Sequence, residues 1–465
     1  MKKTLPLLIG AALAAASGAT HAVDLLGTYR DALTYDARFA SARAERDAGL
    51  EKLPQGRAGL RPQINFMADT KWNDTTTQLR SSPTMSLQPV MGAPLAKAFG
   101  KLIPENTSSR YNTHSWGISL MQPLFRWQNW SIYKQAELAT AAAEVQYSAA
   151  KQDLIERVIQ AYFDTLLAQA EVTTATAQKA AISEQLAAAK RSFEVGTTTI
   201  TDTHEAQARF DLVTATELVA QNDLEVKKQA LRTLTGKEID ELKGLKPNVE
   251  LSPPEPSDVA QWVESAEKDN YNVQLSKTQL EIANREIEKN RVGHYPTLDL
   301  IANHGRQSSS TNPMWSPLGG TDTDATVVGL QLNIPIFSGG LTASKTREAV
   351  ALREKANSDL ENVRRMAALG ARQSYLGVTS GLAQIKALEQ ALLSSQSALD
   401  SNKLGYEVGV RVNIDVLNAQ QQVSSTSRDL AKARLQTLMA QVKLKALTGG
   451  LSEQDVAVLN GLLEP

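Results

Sequence analysis

The sequence predicts a mainly α-helical protein with a smaller β-sheet part, built as an internal tandem duplication. Two long proline-free stretches predict the helices. Four segments in which apolar and polar residues alternate predict the strands. Short motifs that recur in the same order in both halves of the chain predict the duplication. The composition agrees, because a chain rich in Ala, Leu, Gln and Glu with only 5% aromatic residues is typical of long packed helices.

The charge balance and the cysteine count exclude several classes of protein. The 465 residues carry 49 basic and 50 acidic side chains, a balance that does not favour binding to nucleic acid or another polyanion. The chain contains no cysteine, which excludes a disulfide scaffold, a thiolate metal site and a cysteine nucleophile. It also excludes a lipid-modified cysteine at a mature N-terminus.

The first 22 residues have the pattern of a secretory signal peptide. Two lysines form a short basic start, an apolar run covers 5–16, and small residues lead to Ala22. The apolar run is too short to span a membrane as a helix. The sequence therefore predicts an exported protein that begins at Val23 after cleavage.

The two halves of the mature chain resemble each other in sequence. Phe193–Gly196 matches Tyr406–Gly409, and the same shift along the chain aligns Asp202 with Asp415. Further pairs in the same order are Ala206 with Ala419, Gln207 with Gln420, Leu234–Gly236 with Leu447–Gly449, Gly117 with Gly329, Leu120 with Leu332, Pro123 with Pro335, Phe125 with Phe337 and Pro62 with Pro296. An ordered set of this size predicts a duplication rather than the three unrelated domains that length alone suggests.

Each half contains a long helix that folds back on a shorter one. Gln128–Val195 has neither glycine nor proline, and its length is enough for a helix of roughly 100 Å. Leu341–Leu404 is its counterpart, and a Val-Gly turn follows each long helix. The return arms are Thr197–Thr235 and Val410–Thr448. Helical segments near Asp24–Leu53 and Asp258–Val292 have about the missing length, so we expect each to stack end to end on a return arm.

Alternating residues predict two strands in each half. In 63–72 the even positions are mostly apolar and the odd positions mostly polar, which is the period of a strand with two different faces. The alternation recurs over 297–303 and 327–334, and Ile118 and Leu120 continue it in the remaining strand. The polar loops between the strands fall at about 81–108 and 307–324.

Four strands are too few to close a barrel. A barrel needs about eight, and an open strand edge in lipid leaves backbone groups unpaired at several kcal/mol each. Either the strands form a soluble sheet, or several chains share one barrel. The alternation, the export signal and the aromatic residues Trp72, Tyr111 and Trp116 near the predicted strand ends favour a shared barrel.

The export signal, the duplicated unit of two strands, long helix and short helix, and the Phe/Tyr-x-Val-Gly turns together resemble the TolC family of outer-membrane channel proteins. The most specific stretch is YEVGVRVNIDVLNA at Tyr406–Ala419. The resemblance implies that three chains assemble one tube. In that tube a twelve-stranded outer-membrane β-barrel, with four strands from each chain, is continuous with a long periplasmic α-helical barrel.

The resemblance also implies a function and a set of partners. It predicts an exit duct of tripartite export systems, located in the outer membrane with its helical tunnel in the periplasm. The expected partners are two further copies of the chain, a periplasmic adaptor protein, an inner-membrane ABC, RND or MFS transporter, and outer-membrane lipid. The cargo is protein (type I secretion), drugs or both, and the missing lipid-accepting cysteine resembles the secretion branch.

These expectations divide the chain into nine segments. In order they are a signal peptide (1–22), a first helix (23–60), transmembrane strands with an extracellular loop (61–127), a long helical hairpin (128–236), an equatorial linker (237–257), a helix of the second repeat (258–294), its strands and loop (295–337), its hairpin (338–449) and a C-terminal equatorial tail (450–465).

The helix tips carry the residues expected to act. The resemblance assigns a periplasmic gate to Arg411 and to its partners Thr201, Asp202 and Tyr406. Arginine suits this role because its guanidinium forms forked, directional bonds to carboxylate and carbonyl oxygens. The alternative is that Arg411 and Asp202 are solvated charges at helix ends, worth under about 1 kcal/mol.

The same tips carry a predicted acidic ring and predicted docking turns. Asp415 matches the constriction aspartate of the family, and three copies would form a ring that selects cations. The family often has a second aspartate where this chain has Asn418, so we expect weaker block by cations. The adaptor-docking tips are Val195, Gly196, Val408 and Gly409. The alternatives are that Asp415 favours a helix N-terminus and that the glycines only permit the turns.

The sequence predicts neither an enzyme nor a resident cofactor. The four mature histidines, at 114, 204, 294 and 304, lack metal-ligand spacing, and no phosphate-binding loop or nucleophile elbow is present. The main alternative function is a periplasmic adaptor or coiled-coil structural protein, which would explain the helices but not the strands. An exported hydrolase is disfavoured by the missing catalytic residues.

Overall fold

The structure is a computed structural model that describes residues 22–78, 88–90, 92–100, 106–196, 199–239, 241–246, 249–311 and 319–464. The predicted signal peptide, apart from Ala22, lies outside the described residues, as do parts of both predicted extracellular loops. The elements are α1 (Leu25–Tyr35), α2 (Ala37–Leu50), α3 (Lys52–Ala58), β1 (Gln63–Gln78), α4 (Ala93–Gly100), β2 (Asn106–Phe125), α5 (Trp127–Glu194), α6 (Ile200–Thr235), α7 (Val259–Asp269), α8 (Tyr271–Arg291), a 3₁₀ turn (Val292–His294), β3 (Thr297–Ser309), β4 (Thr321–Asn333), α9 (Leu341–Glu407), α10 (Asn413–Leu447) and α11 (Glu453–Asn460).

The long helices and their return arms form where the sequence predicts them. Helix α5 has 68 residues and α9 has 67, and each is followed by a turn and a helix of 36 or 35 residues. The absence of proline allows the backbone hydrogen bonds to continue without interruption over this length. None of the helices in the described ranges combines the length and the apolar character needed to cross a membrane.

The shorter helical segments are broken, which the sequence analysis did not foresee. Asp36 separates α1 from α2, and Asn270, at the equivalent position of the second repeat, separates α7 from α8. Asp36 Oδ1 accepts a hydrogen bond from the Phe39 amide at 2.7 Å, and Asn270 Oδ1 accepts one from the Asn272 amide at 2.9 Å. Each side chain therefore caps the start of a new helix and ends the preceding one.

The return arms meet the short segments at these breaks. The side chain of Asn270 donates from Nδ2 to the carbonyl of Leu447, the last residue of α10, at 3.0 Å. At the end of α6, Gly236 has φ +72° and lies directly against the ring of Tyr35, so a side chain there would clash. These contacts refine the predicted end-to-end stacking: each return arm ends at the break within a short segment.

The chain divides into two compact units, Met1–Leu50 with Thr140–Glu281 and Glu354–Pro465, and Glu51–Ala139 with Ile282–Arg353. The main core of the first unit surrounds the fully buried Tyr162 on α5. Its hydroxyl lies 3.0 Å from the carbonyl oxygens of both Val23 and Lys243, which places a polar partner at the centre of the core. Burial raises the pKa of this phenol, so it stays neutral and able to donate.

The second unit contains one antiparallel sheet in the order β1-β2-β3-β4. Its register places Ile64, Leu120, Ala302 and Val328 opposite one another on one face. Further large apolar side chains that share this face and remain exposed are Phe66, Ile118, Leu330 and Leu332. Strands β1 and β4 each have one edge that pairs with no other strand in the described part of the chain.

The strands continue beyond the positions where the sequence analysis ended them. Strand β1 runs to Gln78 and β2 begins at Asn106, so Trp72, Tyr111 and Trp116 lie inside strands and not near their ends. On the side of Trp72 and Trp116 that leads to the ends of β1 and β2 at Gln78 and Asn106, the side chains on this face are polar. Among these, Arg306 pairs with Asp322 at 2.7 Å. The two tryptophans therefore mark the limit of an apolar band.

Candidate functional site

The two helix tips have nearly the same backbone geometry. Gly196 and Gly409 have φ of +78° and +80°, a left-handed conformation that costs glycine little. Gly196 N donates to Phe193 O at 2.9 Å, and Gly409 N donates to Tyr406 O at 3.1 Å. In the second tip Val410 N also donates to Gly405 O at 2.9 Å, which completes a Schellman motif. Both glycines therefore end their long helices.

Asp202 acts first of all as a cap of its own helix. Its Oδ2 accepts hydrogen bonds from the amide of Thr199 at 3.0 Å and from the hydroxyl at 2.9 Å. The Thr199 hydroxyl in turn accepts a hydrogen bond from the Asp202 amide, so the two residues form a capping box at the start of α6. Thr201 is exposed beside this cap. Asp202 therefore stabilises the N-terminus of α6 within its own chain.

Asp415 has a different partner, because its helix starts differently. Val412 stands where the first repeat has Thr199, and it offers no side-chain oxygen to cap α10. The Asp415 carboxylate lies 3.5 Å from the Arg411 guanidinium, and these side chains are 35% and 58% exposed. Two differences between the repeats therefore produce this pair: Val412 leaves Asp415 without a side-chain cap, and Arg411 stands where the first repeat has Thr198.

Arg411 is positioned by a glycine that the sequence analysis missed. A Cβ on Gly405 would lie 2.7 Å from Cγ of Arg411, so only glycine lets the arginine stem lie against α9. The Arg411 amide also donates to the Gly405 carbonyl at 3.1 Å. The first repeat has Ser192 at the equivalent position. That departure from the repeat is the signal by which Gly405 could have been found.

Within one chain the predicted gate residues are close in sequence to the two tips but are not joined to each other. Arg411 pairs with Asp415 and not with Asp202 or Thr201. The half-buried Tyr406 makes no side-chain hydrogen bond to any described residue of the same chain. The structure thus presents two separate half-sites, one on each hairpin.

A polar contact that the sequence analysis did not predict links the two hairpins. Arg209 on α6 donates from Nη2 to Asn418 Oδ1 at 3.1 Å and from Nη1 to Gln421 Oε1 at 2.9 Å. Asn418 stands where the resemblance to the TolC family implies a second aspartate. In this structure it has an arginine partner that lies two helical turns beyond Asp202.

The turns themselves are apolar and exposed. Val195 is 74% exposed and Val408 is 65% exposed, and Val410 and Val412 are also exposed. Gly196 and Gly409 have open space where a Cβ would lie. In the described part of the chain no three acidic or histidine side chains gather in a way that could hold a metal ion.

Comparison with known proteins identifies the family. The family model described as outer membrane efflux protein matches residues 28–237 and 262–450. Outer membrane protein TolC of Vibrio cholerae is 32% identical over 466 aligned positions, which cover 100% of this chain and 99% of that one. Alkaline protease secretion protein AprF of Pseudomonas aeruginosa is 31% identical over 464 positions, with 99% and 91% covered. The crystal structure of the Campylobacter jejuni CmeC outer-membrane channel aligns with a TM-score of 0.76 at 16% identity, over 95% of this chain and 90% of that one.

These similarities confirm the predicted fold class, a mainly α-helical chain that contributes one four-stranded sheet. They also confirm the outer-membrane location and the general role of an export duct. The family consists of channels rather than enzymes. The adaptor or coiled-coil alternative is set aside, because it explains neither the sheet nor these relatives. The chain belongs to the outer membrane efflux protein family.

Proposed function

We propose that three copies of the chain close one twelve-stranded barrel in the outer membrane and form a duct that is gated at the helix tips. The observation that carries the assembly is the sheet of the second unit, which has two open edges and an exposed apolar face. In lipid each open edge would leave backbone groups unpaired. Pairing β1 of one copy with β4 of the next satisfies them all.

The gate consists of Arg411 from one hairpin and Thr201, Asp202 and Tyr406 around it, brought together between neighbouring chains. Gly405 leaves room for the stem of Arg411 to lie against α9, and the guanidinium remains exposed for a partner on another chain. Asp202 uses Oδ2 for the cap, while its Oδ1 accepts no hydrogen bond from the described residues of its own chain. The Tyr406 hydroxyl is likewise available. Such contacts, repeated by threefold symmetry, hold the tips together without a covalent bond.

Asp415 supplies the constriction ring. Three copies around the axis would attract cations, but each carboxylate already has an arginine at 3.5 Å. Asn418 adds no further negative charge. The duct therefore prefers cations only weakly, and polycations block it less than two acidic rings would.

The exposed valine and glycine tips dock a periplasmic adaptor. Val195 and Val408 offer apolar area and Gly196 and Gly409 allow close approach, which suits a helical hairpin partner. The relative named for alkaline protease secretion supports a protein cargo delivered by an ABC transporter, as in type I secretion. Relatives named for efflux support drugs delivered by an RND or MFS transporter as a second cargo class. The duct itself performs no chemistry and uses the energy of its transporter.

The substitution Arg411→Ser tests the gate. It removes the guanidinium and leaves the turn backbone intact, so we expect a several-fold rise in single-channel conductance in planar bilayers. Cells that carry the variant should become sensitive to large antibiotics. The matched control is Arg428→Gln, a cation on α10 away from the tips. Wild-type conductance in Arg411→Ser would reject the gate assignment.

A further inference from the structure

The hydrogen bonds from Arg209 to Asn418 and Gln421 join the two hairpins of one chain. Arg209 lies on α6 in the first hairpin, and both acceptors lie on α10 in the second. The acceptors are three residues apart, so they share one face of α10. The half-buried guanidinium is forked between them.

The bond sits directly beside the constriction. Asn418 follows Asp415 by three residues and so lies on the same face of α10, one turn further from the tip. Adjacent to it, Leu417 is buried in an apolar cluster with Ile182 and Val213 of the first hairpin. An apolar contact and a forked hydrogen bond therefore hold the same turn of α10 against α6.

The charges at this contact are unbalanced. Both acceptors of Arg209 are neutral amides, so its positive charge is not compensated there. Asp415 lies one turn away and already has Arg411 as a partner. Arg209 thus places a second positive charge near the predicted acidic ring.

We propose that Arg209 is a latch between the hairpins, a second set of gate contacts one to two turns from the tips, with Asn418 and Gln421 as its acceptors. It has two effects: it restrains α10 in the closed arrangement, and its charge weakens the preference of the constriction for cations. This inference rests on the proposed duct gated at the tips. It assigns a positioning role to Arg209 that its sequence position, seven residues after Asp202, does not reveal.

The test uses the full-length trimer in planar bilayers, with two variants that separate restraint from charge. Arg209→Gln removes both the bonds and the charge. The double variant Asn418→Ala/Gln421→Ala removes the bonds and leaves the charge. We expect both to raise the open-to-closed ratio by about three- to tenfold. Only Arg209→Gln should raise the cation-to-anion permeability ratio measured from the reversal potential.

Two controls make the result specific. Arg428→Gln removes a cation that lines the same groove as Arg209, and it should leave the open-to-closed ratio unchanged. Combining Arg209→Gln with Asn418→Ala/Gln421→Ala should open the duct no further than Arg209→Gln alone, because the three residues form one contact. Heat-modifiable trimers on gels verify assembly of each variant.

The outcomes that contradict the latch are distinct from failure of the proposed function. A wild-type ratio in Arg209→Gln overturns the latch. A change in Arg209→Gln without a change in Asn418→Ala/Gln421→Ala also overturns it, because the effect is then one of charge alone. If Arg411→Ser opens the duct in the same bilayers, the tip gate stands while the latch falls. If the wild-type trimer forms no channel, the proposed function fails and the latch falls with it.

Discussion

Thr199 and Val412, which occupy equivalent positions in the two repeats, determine whether the aspartate three residues later takes part in a capping box. Asp202 is engaged by Thr199 in a capping box, whereas Val412 leaves Asp415 without one. The two carboxylates have the same position in their helices, but the residue three positions earlier is Thr199 in the first repeat and Val412 in the second. The gate therefore depends on the absence of a cap in the second repeat as much as on the presence of Arg411.

Exchanging the caps tests this explanation. Val412→Thr supplies a hydroxyl that can accept a hydrogen bond from the Asp415 amide, as the Thr199 hydroxyl does from the Asp202 amide. An N-cap of this kind stabilises a helix by about 1 kcal/mol. We expect the Asp415 amide to gain about fivefold protection from hydrogen exchange, measured by mass spectrometry. The reciprocal Thr199→Val should cost the Asp202 amide a similar factor. Unchanged exchange in both variants would show that the caps do not control these helix starts.

At this scale the sequence pointed to Arg411 and Asp415 but not to Arg209. Arg411 lies in the turn just before α10 and Asp415 in the first turn of that helix, so their contact is local in sequence. Arg209 and Asn418 lie on different helices, far apart along the chain, so their contact depends on the register of two hairpins. No local pattern contains that register.

At the scale of the elements, the break at Asp36 is tied to the core by an ion pair. The carboxylate is nearly buried, at 6% exposure, and meets both terminal nitrogens of Arg157 at 2.9 and 3.1 Å. The side-chain hydrogen bonds from Arg157 lower the pKa of Asp36 more than burial raises it. Asp36 therefore caps α2 and fixes it to α5 at the same time.

The substitution Asp36→Asn separates these two roles. The amide oxygen can still cap α2, but the ion pair is lost, so we expect a loss of about 1–3 kcal/mol at pH 7. The measurement is the temperature at which the trimer dissociates in detergent. Because the folded pKa is lowered, the stabilisation is present above the unfolded value of about 3.9 and is lost as the pH falls through the folded value.

The pH dependence therefore distinguishes the ion pair from a packing defect. The difference between wild type and Asp36→Asn should begin to shrink below about pH 4, where the carboxylate of the unfolded wild type becomes protonated, and should be lost as the pH falls through the lower folded pKa. Asp47→Asn, at an exposed ion pair on the same helix, is the matched control and should change stability by under about 0.5 kcal/mol. A difference that stays constant down to pH 3 would assign the loss to packing.

The elements themselves were largely predictable. Long helices follow from the absence of proline, and the strands follow from two-residue alternation. The break at Asp36 was not predicted, because an aspartate on the polar face of a helix has the same pattern as one that caps. Its recurrence as Asn270, at the same spacing that separates Pro62 from Pro296, was the available signal.

At the scale of the whole molecule, one chain is incomplete by itself. Among the described residues, both outer strands of its sheet have an unpaired edge, and the predicted gate residues form two half-sites that do not meet within the chain. Both facts have the same explanation if neighbouring chains supply the missing partners. Because of the duplication, each copy of the chain has two hairpins with different tips. The tip with Arg411 on one copy can then meet the tip with Asp202 on the next.

The most direct test of a gate between chains is a reversible covalent bond across it. The chain has no cysteine, so Asp202→Cys/Arg411→Cys introduces the only two thiols. Oxidation should link neighbouring chains into a covalent trimer on non-reducing gels, reduce the single-channel conductance and stop export. A reductant should then open the duct beyond the wild-type level, because the native gate contact is gone. A trimer that does not cross-link, or one that conducts equally when oxidised and reduced, would contradict a gate at these tips.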